Sequence, residues 1–365
     1  MAFIIHSPTP QITTHETMFK FIHIVPYDGI GGVEAAARSM GSVNSNNINF
    51  SIDFIFKNVT GRKQRFATFN PLPIFSAAWR ASRSDVDFVI TSLWRSAIVG
   101  LLAKLLRPKL KLIAFLHNSR DSNQLDFIFT RLIVLLATEV WADSQATLTY
   151  RIPKFLWKKY RVISFVIRHF EALPIKQVKP SFIFWGRICQ QKGLDRAIRL
   201  FAEIKKTNGM SQFWIVGPNS GLLDGLQELC NALKLGDAVK FLGPMQHDDI
   251  IRLASQASFY LQTSKYEGMA MSVVESMQLG LVPIVTPVGE IGSYCKHDNN
   301  AVIIESDQKA IEDVVKLLNA DDSYQRLRFN AIETWKDHPL YRESVLKACE
   351  ALIDDCASHV NKGIG

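Results

Sequence analysis

Two carboxylates flank the start of a predicted helix in the second half of the chain. Glu267 follows an apolar run that predicts a buried strand, and Glu275 lies within a helix predicted to begin near Ala270. The first turn of a helix leaves backbone N–H groups without intrahelical partners, and these groups attract an anion. Ionised carboxylates accept hydrogen bonds from hydroxyl groups. The segment 265–292 therefore predicts a site for a ligand with a diphosphate and several hydroxyls, which describes a nucleotide-sugar.

Two basic residues follow another predicted strand and supply the positive charge that a diphosphate needs. Arg187 comes directly after the apolar run 182–185, and Lys192 precedes a glycine and a helical pattern. A guanidinium grips phosphate oxygens with a planar fork, and an ammonium adds a point charge. A GR…KG pattern alone is more often a surface turn with solvated charges. Together with Glu267 and Glu275 at equivalent strand ends, it predicts a phosphate clamp that faces a pair of carboxylates.

The elements that must position these residues alternate between strand and helix along the whole chain. The first half opens with a strand-like run at 21–25, the glycine-rich turn YDGIGG and a helix-like run at 33–40, and a second alternating series begins at Phe182. Such alternation favours a mostly parallel sheet with helices on both faces. We therefore predict an α/β fold of two Rossmann-like, doubly wound domains that face each other across a cleft, with C-terminal closing helices.

The segment PIKQVKP, residues 174–180, predicts the linker between the domains because it is rich in proline and polar residues. We expect residues 1–175 to form the N-terminal domain and residues 176–340 the C-terminal domain. We also expect residues 341–365 to form a C-terminal helix that packs back on the N-terminal domain.

The N-terminal half offers a glycine-rich turn and a strand-end histidine as candidate site residues. Gly31 and Gly32 belong to the turn, but Glu34 stands where the dinucleotide fingerprint needs its last glycine. The missing fingerprint disfavours an NAD-dependent oxidoreductase. His117 follows the strand-like run 112–116, and a lone histidine there is more often an ordinary strand-end residue.

Positive charge is concentrated in the first half of the chain. Residues 1–180 carry 23 Lys+Arg against 11 Asp+Glu, a net charge of +12, whereas the whole chain carries +8. This asymmetry predicts that the first half faces an anionic partner, either nucleic acid or a membrane surface. Basic residues stand beside apolar ones at 105–111 and 154–161, as a membrane-surface patch requires. A solvated basic surface with its apolar members in the core fits these segments equally well.

Other features of the sequence bear on the cellular compartment. No apolar run reaches the roughly 18 residues that span a bilayer, and the N-terminus lacks the basic n-region of a secretory signal. The five cysteines have no CxxC spacing, which is typical of reduced thiols in a cytosolic protein rather than of a zinc site. We therefore predict a cytoplasmic protein, peripheral on the inner face of the plasma membrane.

The two charged segments resemble those of one enzyme family. YEGMAMSVVESMQLGLVPIVTPVGEIG is similar to the EG-x₆-EA-x-A-x-G-x-PV-x-x-x-x-GG signature of retaining GT-B glycosyltransferases of family 4, and FWGRICQQKGLDRAI resembles their GRL-x-x-x-KG donor motif. The resemblance covers residues 181–320 in order. It is weaker in the first half, where GIGGVE and LHNS resemble the family's GG-x-E loop and strand-end histidine. Met269 and Ala270 replace the Phe-Pro or Phe-Gly of many members, and GEIG replaces the paired glycine.

The resemblance implies a role for each candidate residue. Arg187 and Lys192 would hold the donor diphosphate, Glu275 would bond the ribose hydroxyls, and Glu267 would face the transferred sugar. Backbone N–H groups near the phosphate and the hexose would come from three consecutive residues, Gly268, Met269 and Ala270. The first domain would contribute three residues to the opposite wall: His117 toward the sugar, and Gly31 and Gly32 opposite the phosphates.

The activity implied by the resemblance is retaining sugar transfer from a UDP-, GDP- or ADP-sugar. The acceptor would be a glycan or polyprenyl-linked glycan on the first domain, as in bacterial O-antigen, lipopolysaccharide or capsule synthesis. Arg187, Lys192 and the helix N-terminus would stabilise the leaving diphosphate without a metal or other cofactor. We expect no nucleic-acid partner. The alternatives are a nucleotide-sugar 2-epimerase-like enzyme and a non-catalytic glycan- or nucleic-acid-binding protein on the same fold.

Overall fold

A seven-stranded sheet forms the centre of the first domain in the computed structural model, which describes residues 18–29, 31–45, 47–57, 70–153, 155, 159–174 and 177–361. Its strands are β1 Phe19–Tyr27, β2 Val43–Ser45, β3 Ile48–Phe56, β4 Phe88–Ser92, β5 Lys111–Leu116, β6 Glu139–Ala142 and β7 Tyr160–Val162. Its helices are α1 Gly32–Met40, α2 Leu72–Ala81, α3 Leu93–Leu106, α4 Gln124–Leu136 and α5 Gln145–Arg151. The strand order is β2-β3-β1-β4-β5-β6-β7, and β2 runs antiparallel to β3 while the other neighbours are parallel.

A six-stranded parallel sheet forms the second domain. Its strands are β8 Ser181–Trp185, β9 Gln212–Val216, β10 Val239–Gly243, β11 Phe259–Gln262, β12 Val282–Val285 and β13 Val302–Ile303, in the order β10-β9-β8-β11-β12-β13. Its helices are α6 Leu194–Thr207, α7 Leu223–Ala232, α8 His247–Ala254, α9 Met271–Gln278, α10 Ile291–Tyr294, α11 Asp307–Leu318 and α12 Asp321–Glu333. The strand order reverses at β1/β4 in the first sheet and at β8/β11 in the second. Ligands of open parallel sheets bind at these two crevices.

The apolar pattern of the strands explains the double winding. Every residue of β4 and of β8 is buried, because helices cover both faces of a parallel sheet. The two predicted doubly wound domains are thus confirmed. The sequence did not predict the short antiparallel strand β2 or the four-residue helix α10.

The chain crosses between the domains in an extended segment that the sequence did not predict. Strand β7 ends at Val162, and residues 163–174 form hydrogen bonds with other elements. Leu173 N donates to Leu279 O of the second domain, and Phe170 N donates to the side chain of Gln278. Residues 175 and 176 of the predicted linker lie outside the described residues.

The last helix, α13 Tyr341–Asn361, lies against the first domain. Tyr341 N donates to Val166 O at 2.7 Å, and the Tyr341 ring stacks on Phe115 with the ring centroids 6.3 Å apart. Arg342 donates to the carbonyl of Met40 at the end of α1. One continuous apolar cluster therefore contains residues of both sheets and of α13.

Candidate functional site

Glu267 is a buried carboxylate in the loop that follows β11, with 4% of its surface exposed. Its Oε1 accepts hydrogen bonds from Lys192 Nζ at 2.6 Å and from Ser264 Oγ at 2.6 Å. Gln262 and Gln191 donate weaker bonds to the same carboxylate, at 3.3 and 3.4 Å. A buried charge is tolerated when it is paired and hydrogen-bonded. Lys192 is thus the counter-ion of Glu267 in this structure.

A glycine holds the two loops that carry this ion pair close together. Lys192 ends a 3₁₀ turn, and Gly193 follows with φ +62°. A Cβ atom at Gly193 would lie 2.3 Å from Thr263 O, so any larger residue would push the β8 and β11 loops apart. Lys265 N also donates to Gln191 O at 2.8 Å. These contacts fix the distance between the strand ends.

Glu275 lies one turn inside α9 and contacts two residues that the sequence did not single out. Its Oε2 accepts from Trp185 Nε1 at 2.9 Å and lies 3.3 Å from His247 Nε2. Arg168 donates to His247 Nδ1 at 2.7 Å, so a neutral His247 has its proton on Nε2, the ring nitrogen that faces Glu275. Within the described residues, Oε1 has no hydrogen-bond partner and is available to a ligand hydroxyl.

The N-terminus of α9 carries no side-chain cap. Ala270 is the N-cap residue and adopts a left-handed conformation, φ 58° and ψ 65°, without a side-chain hydrogen bond to the first turn. Met269 and Ala270 are both buried, and Tyr294 donates from its hydroxyl to Met269 O at 2.8 Å. Among the residues that the structure describes, no side chain accepts from the first-turn N–H groups of α9.

Arg187 is placed apart from the ion pair. It is exposed after β8 and has no hydrogen-bond or ion-pair partner among the residues that the structure describes. The structure brings Lys192 to Glu267, but it does not bring Arg187 into contact with either of them.

His117 belongs to a buried chain of polar groups in the first domain. Its Nε2 lies 2.9 Å from Ser92 Oγ, and His23 Nε2 lies 2.8 Å from the same hydroxyl. A hydroxyl has one proton and can donate to only one of the two histidines, so at least one neutral histidine carries its proton on Nε2. His117 Nδ1 faces Asp143 Oδ2 at 3.8 Å, which favours the proton on Nδ1 of His117 and on Nε2 of His23. Burial, with the neighbouring His117, lowers the pKa of His23 to about 3, so His23 is neutral near pH 7.

The loop that contains Glu267 touches the first domain directly. A Cβ atom at Gly268 would lie 2.6 Å from Asp143 Oδ2 and 3.1 Å from Asn118 N. Ser119 Oγ donates to Glu267 O at 2.6 Å. Glycine at 268 is thus needed for the close approach of the two domains beside His117.

Two further contacts cross the cleft. A Cβ atom at Gly32 would lie 3.0 Å from Met271 Sδ, and Gly31 is the N-cap of α1. The turn therefore faces the first residue of α9. Glu290 Oε2 accepts from Ala146 N at 2.7 Å. The structure thus brings His117 and Gly32 of the first domain to the loop and helix that carry Glu267 and Glu275.

Several residues of the site escaped sequence reasoning, namely Trp185, Gln191, His247, Ser264 and Asp143. Ser264 precedes Glu267 by three residues, so the local pattern could have indicated it. The others come from different strand ends, and only the sheet order places them together. Among the described residues, no group of three His, Cys, Asp or Glu could hold a metal ion.

The second domain and the crossing segment match a known family. Residues 166–334 match the family model described as glycosyl transferases group 1. An uncharacterized glycosyltransferase, YqgM of Bacillus subtilis, is 29% identical over 146 residues, which cover 40% of this chain and 40% of that protein. A GDP-mannose:cellobiosyl-diphosphopolyprenol alpha-mannosyltransferase of Xanthomonas oryzae is 24% identical over 342 residues, which cover 85% of this chain and 90% of that protein. The chain thus spans less than half of YqgM and most of the Xanthomonas protein.

Solved structures match over nearly the whole chain. Anabaena HepE in complex with UDP and glucose has a TM-score of 0.70 at 17% identity, covering 93% of this chain and 100% of that one. Sucrose-phosphate synthase from Thermosynechococcus elongatus has a TM-score of 0.73 at 14% identity, with 93% and 100% coverage. The two facing domains therefore have the GT-B architecture, and the predicted fold is confirmed.

Proposed function

We propose that this protein is a retaining glycosyltransferase of family 4 that transfers a sugar from a nucleotide-diphosphate-sugar to a glycan or lipid-linked glycan. The observation that carries the proposal is the placement of the Lys192–Glu267 pair and of Glu275 on either side of the uncapped α9 N-terminus. The group 1 family match over residues 166–334 includes all of these residues.

Each residue has a role in this proposal that follows from its charge. The donor diphosphate binds near Arg187, Lys192 and the first turn of α9, because these groups stabilise the negative charge of the leaving nucleoside diphosphate without a metal. Glu275 accepts a ribose hydroxyl through its free oxygen. Glu267 lies nearest the transferred sugar and stabilises the positive charge that develops at the anomeric carbon.

The first domain supplies the opposite wall of this proposed site. His117 faces the transferred sugar, and its Nε2 is held by a hydrogen bond with Ser92. Gly31 and Gly32 lie opposite the phosphates, where the lack of a side chain admits the donor. The Gly268 backbone N–H, with those of Met269 and Ala270, completes the donor site.

Thermal stabilisation of the protein by a nucleotide-sugar tests the proposal. We expect one of a panel of UDP-, GDP- and ADP-sugars to raise the melting temperature, because saturation at about 100 Kd adds about 2.7 kcal/mol to the free energy of unfolding. Glu275→Ala should abolish most of this increase, while Glu203→Ala, an exposed glutamate on α6, should leave it unchanged. Differential scanning fluorimetry measures both. A panel without any stabilising nucleotide-sugar contradicts the proposal, and the anomeric configuration of the product, read by NMR, tests retention.

A lipid-linked acceptor receives support from the Xanthomonas relative, named for its action on a cellobiosyl-diphosphopolyprenol, and from a surface of the first domain. Helices α2, α3 and α4 pack side by side and leave large apolar side chains exposed. These are Leu72, Phe75 and Trp79 on α2, Leu105 and Leu106 on α3, and Leu125, Phe127, Ile128, Leu132, Leu135 and Leu136 on α4. An exposed apolar patch of this kind marks an interaction site.

We propose that this apolar face, the α2–α4 face, rests on an anionic membrane surface at the cytoplasmic side of the plasma membrane. The net charge of +12 on residues 1–180 favours an anionic surface. No helix in the described part of the chain is both long and apolar enough to cross a bilayer. The basic segments 105–111 and 154–161 contribute less to this membrane-facing surface. The Lys111 ammonium contacts Cys356, and Lys159 pairs with Asp355. Residues 154 and 156–158 lie outside the described residues.

Binding to lipid vesicles tests whether the α2–α4 face contacts an anionic membrane. The double variant Phe75→Ser/Trp79→Ser should reduce co-sedimentation with phosphatidylglycerol vesicles at least about fivefold. Full burial of one aromatic ring in the bilayer interface contributes roughly 1.5–3 kcal/mol to the free energy of binding, and the variant loses two rings. Phe329→Ser, which removes an exposed ring of the second domain, is the matched control and should leave binding unchanged. Equal binding to phosphatidylcholine and phosphatidylglycerol vesicles would contradict an anionic surface.

A further inference from the structure

Arg95 lies at the crevice of the first sheet where the strand order reverses. Tyr27 is the last residue of β1, and Arg95 follows β4 in the first turn of α3. Strands β1 and β4 are parallel neighbours, so both residues lie at their carboxyl ends. This crevice is where an open parallel sheet binds its ligand, and the donor residues of the second domain lie at a different sheet.

The guanidinium of Arg95 is held between aromatic rings. Its Cζ atom lies 4.1 Å from the centroid of Trp94 and 5.5 Å from that of Tyr27. Trp94 in turn stacks on Phe129, with centroids 6.3 Å apart and an interplanar angle of 14°. The rings hold the guanidinium by cation–π contact and satisfy none of its N–H donors.

No carboxylate or carbonyl among the described residues bonds to Arg95. Its Nε is buried and has no hydrogen-bond partner, and burial lowers the pKa of its guanidinium. Other arginines of the first domain have carboxylate partners: Arg80 with Asp53, Arg151 with Asp126, and Arg161 with Glu139.

An unpaired and partly buried cation is unfavourable unless a ligand provides the missing charge. A guanidinium is planar and presents parallel N–H donors, which can form two hydrogen bonds to one phosphate. We propose that Arg95 binds a phosphate or diphosphate ester of the acceptor. This inference rests on the proposed sugar transfer, because only a transferase needs an acceptor on the first domain.

Calorimetric titration of the full chain, saturated with UDP to occupy the donor site, tests the proposal. The probes are inorganic pyrophosphate and farnesyl diphosphate. The unmodified protein should bind both, and Arg95→Gln should weaken both at least tenfold. Arg83→Gln removes an exposed arginine of the same domain and should leave both affinities within twofold. Tighter binding of farnesyl diphosphate assigns the oxyanion to a lipid-linked acceptor, and equal binding assigns it to a soluble phosphate ester.

Unchanged affinities in Arg95→Gln at UDP saturation would overturn the site. A tenfold loss of UDP affinity in this variant would also overturn it, because the oxyanion would then be that of the donor. If Arg95→Gln does not fold, Arg95→Lys keeps the positive charge but lacks the planar fork. We expect Arg95→Lys to bind both probes more weakly than the unmodified protein but less weakly than the tenfold loss expected for Arg95→Gln. Affinities equal to those of the unmodified protein would overturn the proposal. None of these titrations needs sugar transfer, so their outcome is separate from that of the proposed function.

Discussion

Replacing Lys192 with methionine is expected to lower kcat/KM for sugar transfer at least about 10²-fold and the free energy of unfolding by about 3–5 kcal/mol. The ammonium is the counter-ion of Glu267 at 2.6 Å, and 5% of the Glu267 side chain is exposed. Without Lys192, the carboxylate stays buried without its cation, which explains the loss of stability. Under the proposed function, the loss of activity follows from the missing positive charge beside the leaving diphosphate. Steady-state kinetics and chemical denaturation measure the two effects.

The double variant Lys192→Met/Glu267→Gln separates the two effects. It removes both charges, so it should be more stable than either single variant while its activity stays low. Lys206→Met provides the control, because Lys206 pairs with Glu203 at 2.7 Å on an exposed face of α6. An exposed pair contributes about 0–1 kcal/mol. Destabilisation of the double variant equal to the sum of the single variants would show that the pair is not coupled.

The fold followed from the sequence because its signal is repeated along the chain. Apolar runs such as 182–185 and 259–262 recur at intervals that hold one helix, and each run is buried as a strand. The crossing segment 163–174 carries a similar apolar pattern, yet it pairs with the second domain instead of extending β7. Its hydrogen-bond partners, Gln278 and Leu279, are more than a hundred residues away. Local periodicity does not contain that information.

The candidate site followed from the sequence only in part, for a similar reason. The spacing from Glu267 to Glu275 indicated a helix N-terminus between them, and the helix begins at Met271. The pairing of Lys192 with Glu267 depends on β8 lying beside β11, which is a property of the sheet order. His247 reaches Glu275 from the end of a third strand, β10. The sequence did not indicate Arg95, because an arginine in a helix is common and its contacts depend on the tertiary structure.

The loop that carries Glu267 also depends on a glycine outside the charged motif. Gly289 has φ +60°, and a Cβ atom there would lie 2.2 Å from Glu267 O and 2.9 Å from Gly268 O. Glu290 N donates to Gly268 O at 3.1 Å, so the two loops are in hydrogen-bonded contact. The sequence GEIG differs from a paired glycine, yet its first glycine allows this contact.

Gly289→Ala should therefore lower kcat/KM about 10²-fold, because displacement of Glu267 by about 1 Å misplaces a group that, in the proposed function, stabilises the transition state. Gly236→Ala is the matched control: its φ is +52°, and apart from its two chain neighbours no described residue has an atom within 4 Å of the added Cβ. In both variants the alanine must adopt a left-handed backbone conformation, which costs about 1–2 kcal/mol. Only Gly289→Ala adds a clash with backbone atoms, which should reduce the free energy of unfolding by about 1–3 kcal/mol more than the control. Equal stability and activity of the two variants would mean that the Glu267 loop does not depend on this contact.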